Sequence, residues 1–385
     1  MMPWRKFLPA AALLFLLLQS AFGRQAHSAS SNLVRRWYHH PYRLGAEAYL
    51  QGGAMAATAG NAAAMLINPA SLADLPDHLA LFVETGWASG TDFFRFLNIN
   101  IKAQYQPVQY AGVAWRPLSG LGLGLFYHRP TDYTLDFGAM HRGTLLQLAE
   151  AGEARALQSR QEDAIGVALA TALSEHFHVG GSLQWRRATM TDEFAQARRE
   201  GGDSAWRFAV GALWHYRGWQ FGLATHSRYE AGGTVIIRPA GAYGGEFFRQ
   251  EDPLTLRMGL STPLLFQRLR LSAEAEFKDF EADIPIEKWQ FYGGSTLRLS
   301  PRLEIGLGAF TFLKDYSAFV DGPESEIFLT GGVRLRLGDF RFTACWLEGD
   351  LLNQNFTGQR FVNLALGYAL PGGRRLASHF NYGGN

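Results

Sequence analysis

The pair of residues closest to reactive chemistry is His226-Ser227, an imidazole next to a hydroxyl. A catalytic dyad needs both groups within hydrogen-bond reach of one another. The surrounding stretch alternates as a strand does, and adjacent strand residues face opposite sides of the sheet. The two side chains should therefore diverge, and no dyad is expected. The chain carries no Gly-x-Ser-x-Gly elbow, no His-Glu-x-x-His and no phosphate loop, so it does not read as an enzyme. His39-His40 could ligate a metal, but the pair reads as solvated histidines in an N-terminal leader, and no metal or cofactor is expected. Cys345 is the single cysteine, which excludes an intrachain disulfide and any multi-cysteine metal cluster. It shares a face with Arg341 and Thr343 and reads as an inert small residue on the polar side of a strand.

Charge occurs in rows. Along Gln267–Phe277, Arg268, Arg270, Glu274 and Glu276 alternate with Leu269, Leu271, Ala273, Ala275 and Phe277, and Arg334 and Arg336 repeat the pattern. Each row lies on one side of a strand and an apolar row on the other. If the apolar side faces lipid, the charges must point inward, because a charge facing lipid near the midplane costs about 2–4 kcal/mol. Two roles remain open for them. They hold the wall and its contents together through ion pairs, or Arg334 or Arg336 grips a substrate carboxylate with two hydrogen bonds.

The elements that place these rows are strands. Alternation recurs in Ile165–Leu173, Phe177–Trp185, Trp206–Tyr216, Trp219–Ser227, Leu254–Thr262, Leu303–Leu313, Ile327–Leu337 and Phe361–Leu370. After residue 23 no run of 18 apolar residues occurs, so spanning helices are not expected. A mean hydropathy of only −0.09 is no obstacle, since alternation hides the hydrophobicity of a barrel. A soluble sandwich alternates as well. Three features favour a membrane barrel: glycine and alanine mixed with charge on the polar face, aromatics near strand ends (Trp115, Tyr127, Trp185, Trp206, Trp214, Tyr216, Trp219, Trp289, Trp346, Tyr368), and alternating short and long connections.

The short connections fall at Pro117–Gly120, Ser174–His176, Arg217–Gly218, Pro263–Phe266, Ser300–Pro301 and Gly338–Asp339. The expected strands are 79–87, 95–116, 120–129, 162–173, 176–188, 204–216, 218–228, 254–263, 267–278, 287–299, 302–313, 326–337, 339–348 and 360–370. The expected fold is all-β, a fourteen-stranded antiparallel transmembrane β-barrel with both ends periplasmic. Pro107 cannot donate to a ladder, so its strand should be kinked or broken there.

The N-terminus reads as an address. Arg5 and Lys6 precede the apolar run Ala10–Leu18, and Ala21-Phe22-Gly23 supplies small residues for cleavage. Residues 1–23 are thus expected to be a signal peptide, too short to span a bilayer, and the destination is the bacterial outer membrane. Without Arg5 and Lys6 the 36 basic residues become 34, equal to the 34 acidic ones, so nucleic acid is not an expected partner. A leader, 24–44, follows. Residues 45–78 are rich in Ala and Gly and nearly free of charge, which suits a compact plug, or hatch, inside the barrel; a flexible periplasmic leader is the competing reading. Asn61–Leu66 should form a short helical turn that stops before Pro69. The barrel is expected over 79–370 and a tail over 371–385, with the assembly signal near Tyr368.

Gly52-Gly53-Ala54, then Gly60-Asn61-Ala62-Ala63-Ala64, then Asn68-Pro69-Ala70-Ser71-Leu72-Ala73 resemble the hatch signature of the FadL/TodX outer-membrane transport family. That run usually ends in Asn-Pro-Ala-Gly-Leu, and Ser71 departs from it. Pro107–Pro130, Phe221–Gly232 and Asp252–Phe277 resemble later parts of the same family. The resemblance implies passive uptake of hydrophobic compounds, long-chain fatty acids or hydrocarbons, through a plugged barrel. By it, Gly52, Gly53, Asn68, Pro69 and Ala70 would fix the plug, and Pro107 and Pro130 would make the strand irregularity that opens a lateral gap. Leu145, Leu146, Leu148, Phe247, Phe248, Arg334 and Arg336 are the candidate ligand contacts. The partners implied are outer-membrane lipid, a hydrophobic small molecule or fatty acid, and the outer-membrane assembly machinery. A related hatch motif occurs in PorV/PorQ-like proteins of type IX secretion, which keeps open a secretion-associated or structural barrel with no small-molecule substrate.

Overall fold

The computed structural model describes residues 45–89, 92–94, 99–101, 104–140, 154–194, 197–234, 236–238, 247–264, 268–279, 289–314, 324–349, 351 and 360–370. Fourteen strands form the wall: β1 (Leu79–Ser89), β2 (Gln104–Leu118), β3 (Leu121–Met140), β4 (Ala154–Ser174), β5 (Phe177–Phe194), β6 (Ala197–Tyr216), β7 (Trp219–His226), β8 (Leu254–Leu264), β9 (Leu269–Asp279), β10 (Trp289–Arg298), β11 (Leu303–Lys314), β12 (Glu324–Leu337), β13 (Phe340–Glu348) and β14 (Arg360–Leu370). Each pairs antiparallel with its chain neighbours, and β1 pairs with both β2 and β14, so the sheet closes on itself. Closure removes the free edges that an open sheet of this size would expose.

Alternation decides which side is which. On β4, Ile165, Val167, Leu169 and Leu173 are exposed on the outside, while Ala164, Ala168 and Ala170 are buried. On β6, Trp206 and Tyr216 end the outward row and are exposed. They lie roughly 34 Å apart along the strand at about 3.4 Å per residue. At a tilt of about 40° that row stands about 25 Å tall, the height of the apolar band of an outer-membrane barrel. No helix among the described residues is long and apolar enough to cross a membrane; the crossing elements are strands.

Two differences from the expected strands have physical reasons. β3 to β6 run further at the end with the long connections, to Met140, Ala154, Phe194 and Ala197. There both faces are polar, with Ser159, Gln161 and Asp163 on one and Arg160 and Glu162 on the other, so the alternation that marks a lipid-facing strand ends before the hydrogen-bond ladder does. The single strand expected over 95–116 is instead β2 plus two short pieces, Asp92–Phe94 and Ile99–Ile101. The β1–β2 register slips between Glu84↔Tyr110 and Gly86↔Gln106, and Pro107 lies inside that slip. A second slip, between His128↔Ala164 and Thr131↔Glu162, holds Pro130.

Residues 45–75 pack against the inward faces of the strands. A short helix, α1 (Gly45–Tyr49), is followed by two 3-10 turns, Ala62–Leu66 and Pro69–Asp74. Asn61 caps the first turn and Asn68 the second, each side chain accepting from the backbone N–H two residues on. Pro69 does not merely stop a helix: it opens the second turn, where its missing N–H is not needed. Most of the segment is buried, including Leu50, Met55, Met65 and Leu72.

Candidate functional site

The inner segment fits because the wall gives way to it. A Cβ at Gly222 would lie 1.8 Å from the Ala56 carbonyl oxygen, one at Gly306 2.0 Å from that of Leu50, and one at Gly211 2.0 Å from Asn68 Oδ1. Gly122, Gly180 and Gly294 meet Leu72, Ala70 and Gln51 in the same way. Glycine is the residue that lets two backbones approach this closely. Gly52 adds a backbone demand, with φ +67° and the Gly293 carbonyl 2.0 Å from any Cβ. Gly53 also has positive φ.

Polar contacts hold the segment to the wall at several points. Glu84 Oε1 accepts from the Ala46 N–H at 2.8 Å and from Asn363 Nδ2 at 3.1 Å. Glu274 Oε2 accepts from the N–H groups of Met55 and Ala56 at 2.8 and 2.7 Å. Asn68 Nδ2 donates to the carbonyls of Ala56 and of Ala212, bridging segment and wall. His226 Nε2 lies 2.9 Å from the Ile67 carbonyl oxygen. Ser227 Oγ meanwhile accepts from the Phe208 N–H, so the two residues serve separate partners.

Glu47 makes the strongest attachment. Its carboxylate takes a close ion pair from Arg334, a hydrogen bond from Thr343 Oγ1 at 2.6 Å and one from Asn61 Nδ2 at 3.2 Å. Burial by itself would raise its pKa; Arg334, then Arg341 and Thr343, outweigh burial and hold it at about 2. Arg334 also pairs with Glu304 at 3.0 Å. It is thus committed to the segment and the wall, while Arg336 is exposed near the Gly338–Asp339 turn. Neither arginine lines the cavity described next. Cys345 faces inward with Thr343, its Sγ 3.0 Å from the Ala46 carbonyl oxygen.

A cavity of about 80 Å³ lies beside the segment, bounded by Leu66 and Ile67. One side is aromatic, with Tyr292, Phe310 and Phe312: Tyr292 stacks on Phe310 at 5.7 Å, and behind the lining the buried Phe328 stacks on Phe310 at 5.3 Å and meets Phe312 edge-on. The other side is ionic, with Arg186, Arg207, Arg257 and Lys278. Their charges are matched locally. Arg186 pairs with Glu162 at 2.8 Å and Asp252 at 2.7 Å, and Arg207 with Asp252 at 3.0 Å. Arg257 spans Glu274 and Glu276 at 2.9 and 3.0 Å. Lys278 lies 3.6 Å from Glu276. Pro130 and His128 also line it.

Pro130 is the one expected ligand-path or gap residue that borders this cavity. The ladder between β2 and β3 ends at Tyr110↔His128, and β3 is next paired at Ile101↔Leu135 with the short piece Ile99–Ile101; Pro107 and Pro130 flank the interruption. Leu145, Leu146 and Leu148 lie outside the described residues. Phe247 and Phe248 lie on the strand Phe247–Asp252, paired with Tyr229–Thr234, and their side chains are outside the described ones. Sequence reasoning passed over Glu47, Arg186, Arg207, Arg257 and Tyr292. Glu47 carried a signal: it is the only charge between Gly45 and Ala73. The others are legible only as inward-facing, because their partners sit on other strands.

The sequence matches no family model and no curated relative. The fold does have neighbours among solved structures. The toluene transporter TbuX of Ralstonia pickettii aligns with a TM-score of 0.66 at 12% identity, over 85% of this chain and 98% of that one. The chain shares the FadL/TodX fold. The Pseudomonas putida toluene transporter TodX aligns at 0.64 and 12% identity, over 88% and 98% of the two chains. A Pseudomonas aeruginosa FadL homologue aligns at 0.64 and 11% identity, over 86% and 99%. The alignments cover 98–99% of these chains and 85–88% of this one, so the likeness extends over most of the barrel.

Proposed function

We propose that this protein is an outer-membrane channel for passive uptake of hydrophobic compounds, with residues 45–78 as its plug and 79–370 as its barrel. Residues 1–23 serve as the export signal, 24–44 as a leader and 371–385 as a tail. The observation that carries this reading is an inner segment seated on wall glycines inside a barrel of FadL/TodX fold.

The physical logic is that an apolar solute crosses the outer lipopolysaccharide layer slowly. A channel that captures it by aromatic contact and releases it into lipid bypasses that layer. Tyr292, Phe310 and Phe312 offer the aromatic surface, backed by the buried Phe328. The interrupted β2–β3 ladder beside Pro107 and Pro130 offers the lateral gap. The cavity cations are balanced by Glu162, Asp252, Glu274 and Glu276, so a neutral solute needs no counter-charge there. A hydrocarbon therefore fits this wall at least as well as a fatty acid.

The test is deletion of residues 45–73. The truncated barrel should pass ions freely in a planar bilayer while the full chain stays nearly closed. Equal conductance would remove the plug from the reading. Toluene entry into vesicles containing the full chain, compared with empty vesicles, tests the substrate class; equal entry would favour the secretion-associated or structural barrel instead.

A further inference from the structure

At the end of the barrel with the short turns, three metal-ligating side chains converge from three separate elements. His178 stands at the start of β5 and His215 near the end of β6, each beside a short turn. The register pairs His178 with Leu213, so His215 is its diagonal neighbour on the inward face, and the two rings lie 5.0 Å apart. Asp74, the last residue of the Pro69–Asp74 turn, reaches between them. Its Oδ1 is 3.4 Å from His178 Nδ1 and its Oδ2 is 2.8 Å from His215 Nε2.

These approaches do not meet hydrogen-bond geometry. His178 Nδ1 and His215 Nε2 are both buried nitrogens without a hydrogen-bond partner among the described residues, and the His178 side chain is only 4% exposed. Each nitrogen faces the Asp74 carboxylate at ion-pair distance but without aligned hydrogen-bond geometry, an arrangement that a shared cation would satisfy. One atom from each residue lies within 4.8 Å of the others. Three ligands bound at about 2.0–2.1 Å in tetrahedral geometry stand about 3.3 Å apart. Small rotamer shifts bring the cluster to that spacing, and the partly exposed Asp74 and His215 leave the fourth position to water.

We propose that Asp74, His178 and His215 form a binding site for a divalent transition-metal ion of the zinc class. Two imidazoles and one carboxylate are the donors that such ions prefer over magnesium or calcium. Occupancy would tie the end of the inner segment to β5 and β6, joining by coordination two parts of the fold that otherwise meet through backbone packing and Asn68. Any effect on channel opening rests on the plug role proposed above; binding itself does not.

The experiment uses the full, untagged chain in detergent, freed of metal by a chelator and titrated with zinc sulfate by calorimetry. The expected result is about one equivalent bound through nitrogen and oxygen at about 2.0–2.1 Å by X-ray absorption. Zinc should also slow hydrogen exchange across residues 70–76. His178→Ala and His215→Ala should each abolish the binding, and Asp74→Asn should weaken it, while heat-dependent gel mobility confirms that the barrel stays folded. His39→Ala/His40→Ala should bind as the wild type does. No stoichiometric binding, or binding unaffected by the His178 and His215 variants, would overturn the site. Loss of binding with unchanged conductance would leave the site standing and sever it from the plug.

Discussion

Glu47 and Arg334 show how one buried pair ties a segment to a wall. Removing Arg334 leaves a carboxylate inside the protein facing only Arg341 at 3.7 Å, Thr343 and Asn61. Breaking a buried pair from one side costs about 3–5 kcal/mol. Arg334→Ala should therefore release residues 45–60 to rapid hydrogen exchange while the strands stay protected. The pH dependence follows from the sign of the shift. The Glu47 pKa falls from 4.5 to about 2, so its contribution is fully present above 4.5 and is lost as pH falls through about 2. That contribution is on the order of 3 kcal/mol. Segment protection measured between pH 5 and pH 2 should drop in the wild type and flatten in Glu47→Gln.

At the scale of elements, the inner segment and the strands are matched by side-chain absence. Gly222→Val should push Ala56 and its neighbours away from β7, because the added carbon has no room. Gly331, by contrast, has only Leu307 Cδ2 at 3.6 Å, so Gly331→Ala should be silent. Single-channel recording distinguishes the two: raised conductance in the first, wild-type behaviour in the second. The β2–β3 interruption is a second element-scale feature. Pro107→Ala with Pro130→Ala restores two N–H donors near it. If this break is the exit, toluene entry should fall while the heat-dependent gel shift stays unchanged; undiminished entry would place the exit elsewhere.

For the whole molecule, the lipid face sets where substitutions hurt. Leu169 lies midway along the exposed row of β4, and Leu173 lies near its end. An arginine on a lipid face costs about 2–4 kcal/mol at the midplane and about 0–1 near the interface. Leu169→Arg should thus lower folding stability in lipid vesicles by several times as much as Leu173→Arg, read from urea titration of the refolded barrel. Equal losses would mean that the membrane band does not lie between Trp206 and Tyr216.

What the sequence determined by itself is local. A period of two decides which side chain faces lipid, so β1 and β7 to β14 lie within two residues of their expected bounds. The small-residue run at 45–73 and Asn68-Pro69 were legible because capping, turn geometry and side-chain size are properties of neighbouring residues. Tertiary structure alone decided the pairings. That Glu47 meets Arg334, that Glu274 holds Met55 and Ala56, and that Asp74 joins His178 and His215 depend on contacts across separations such as 287 and 219 residues. Periodicity states that these groups point inward but says nothing about what they point at. Only closure of the barrel around the inner segment brings them within bonding distance.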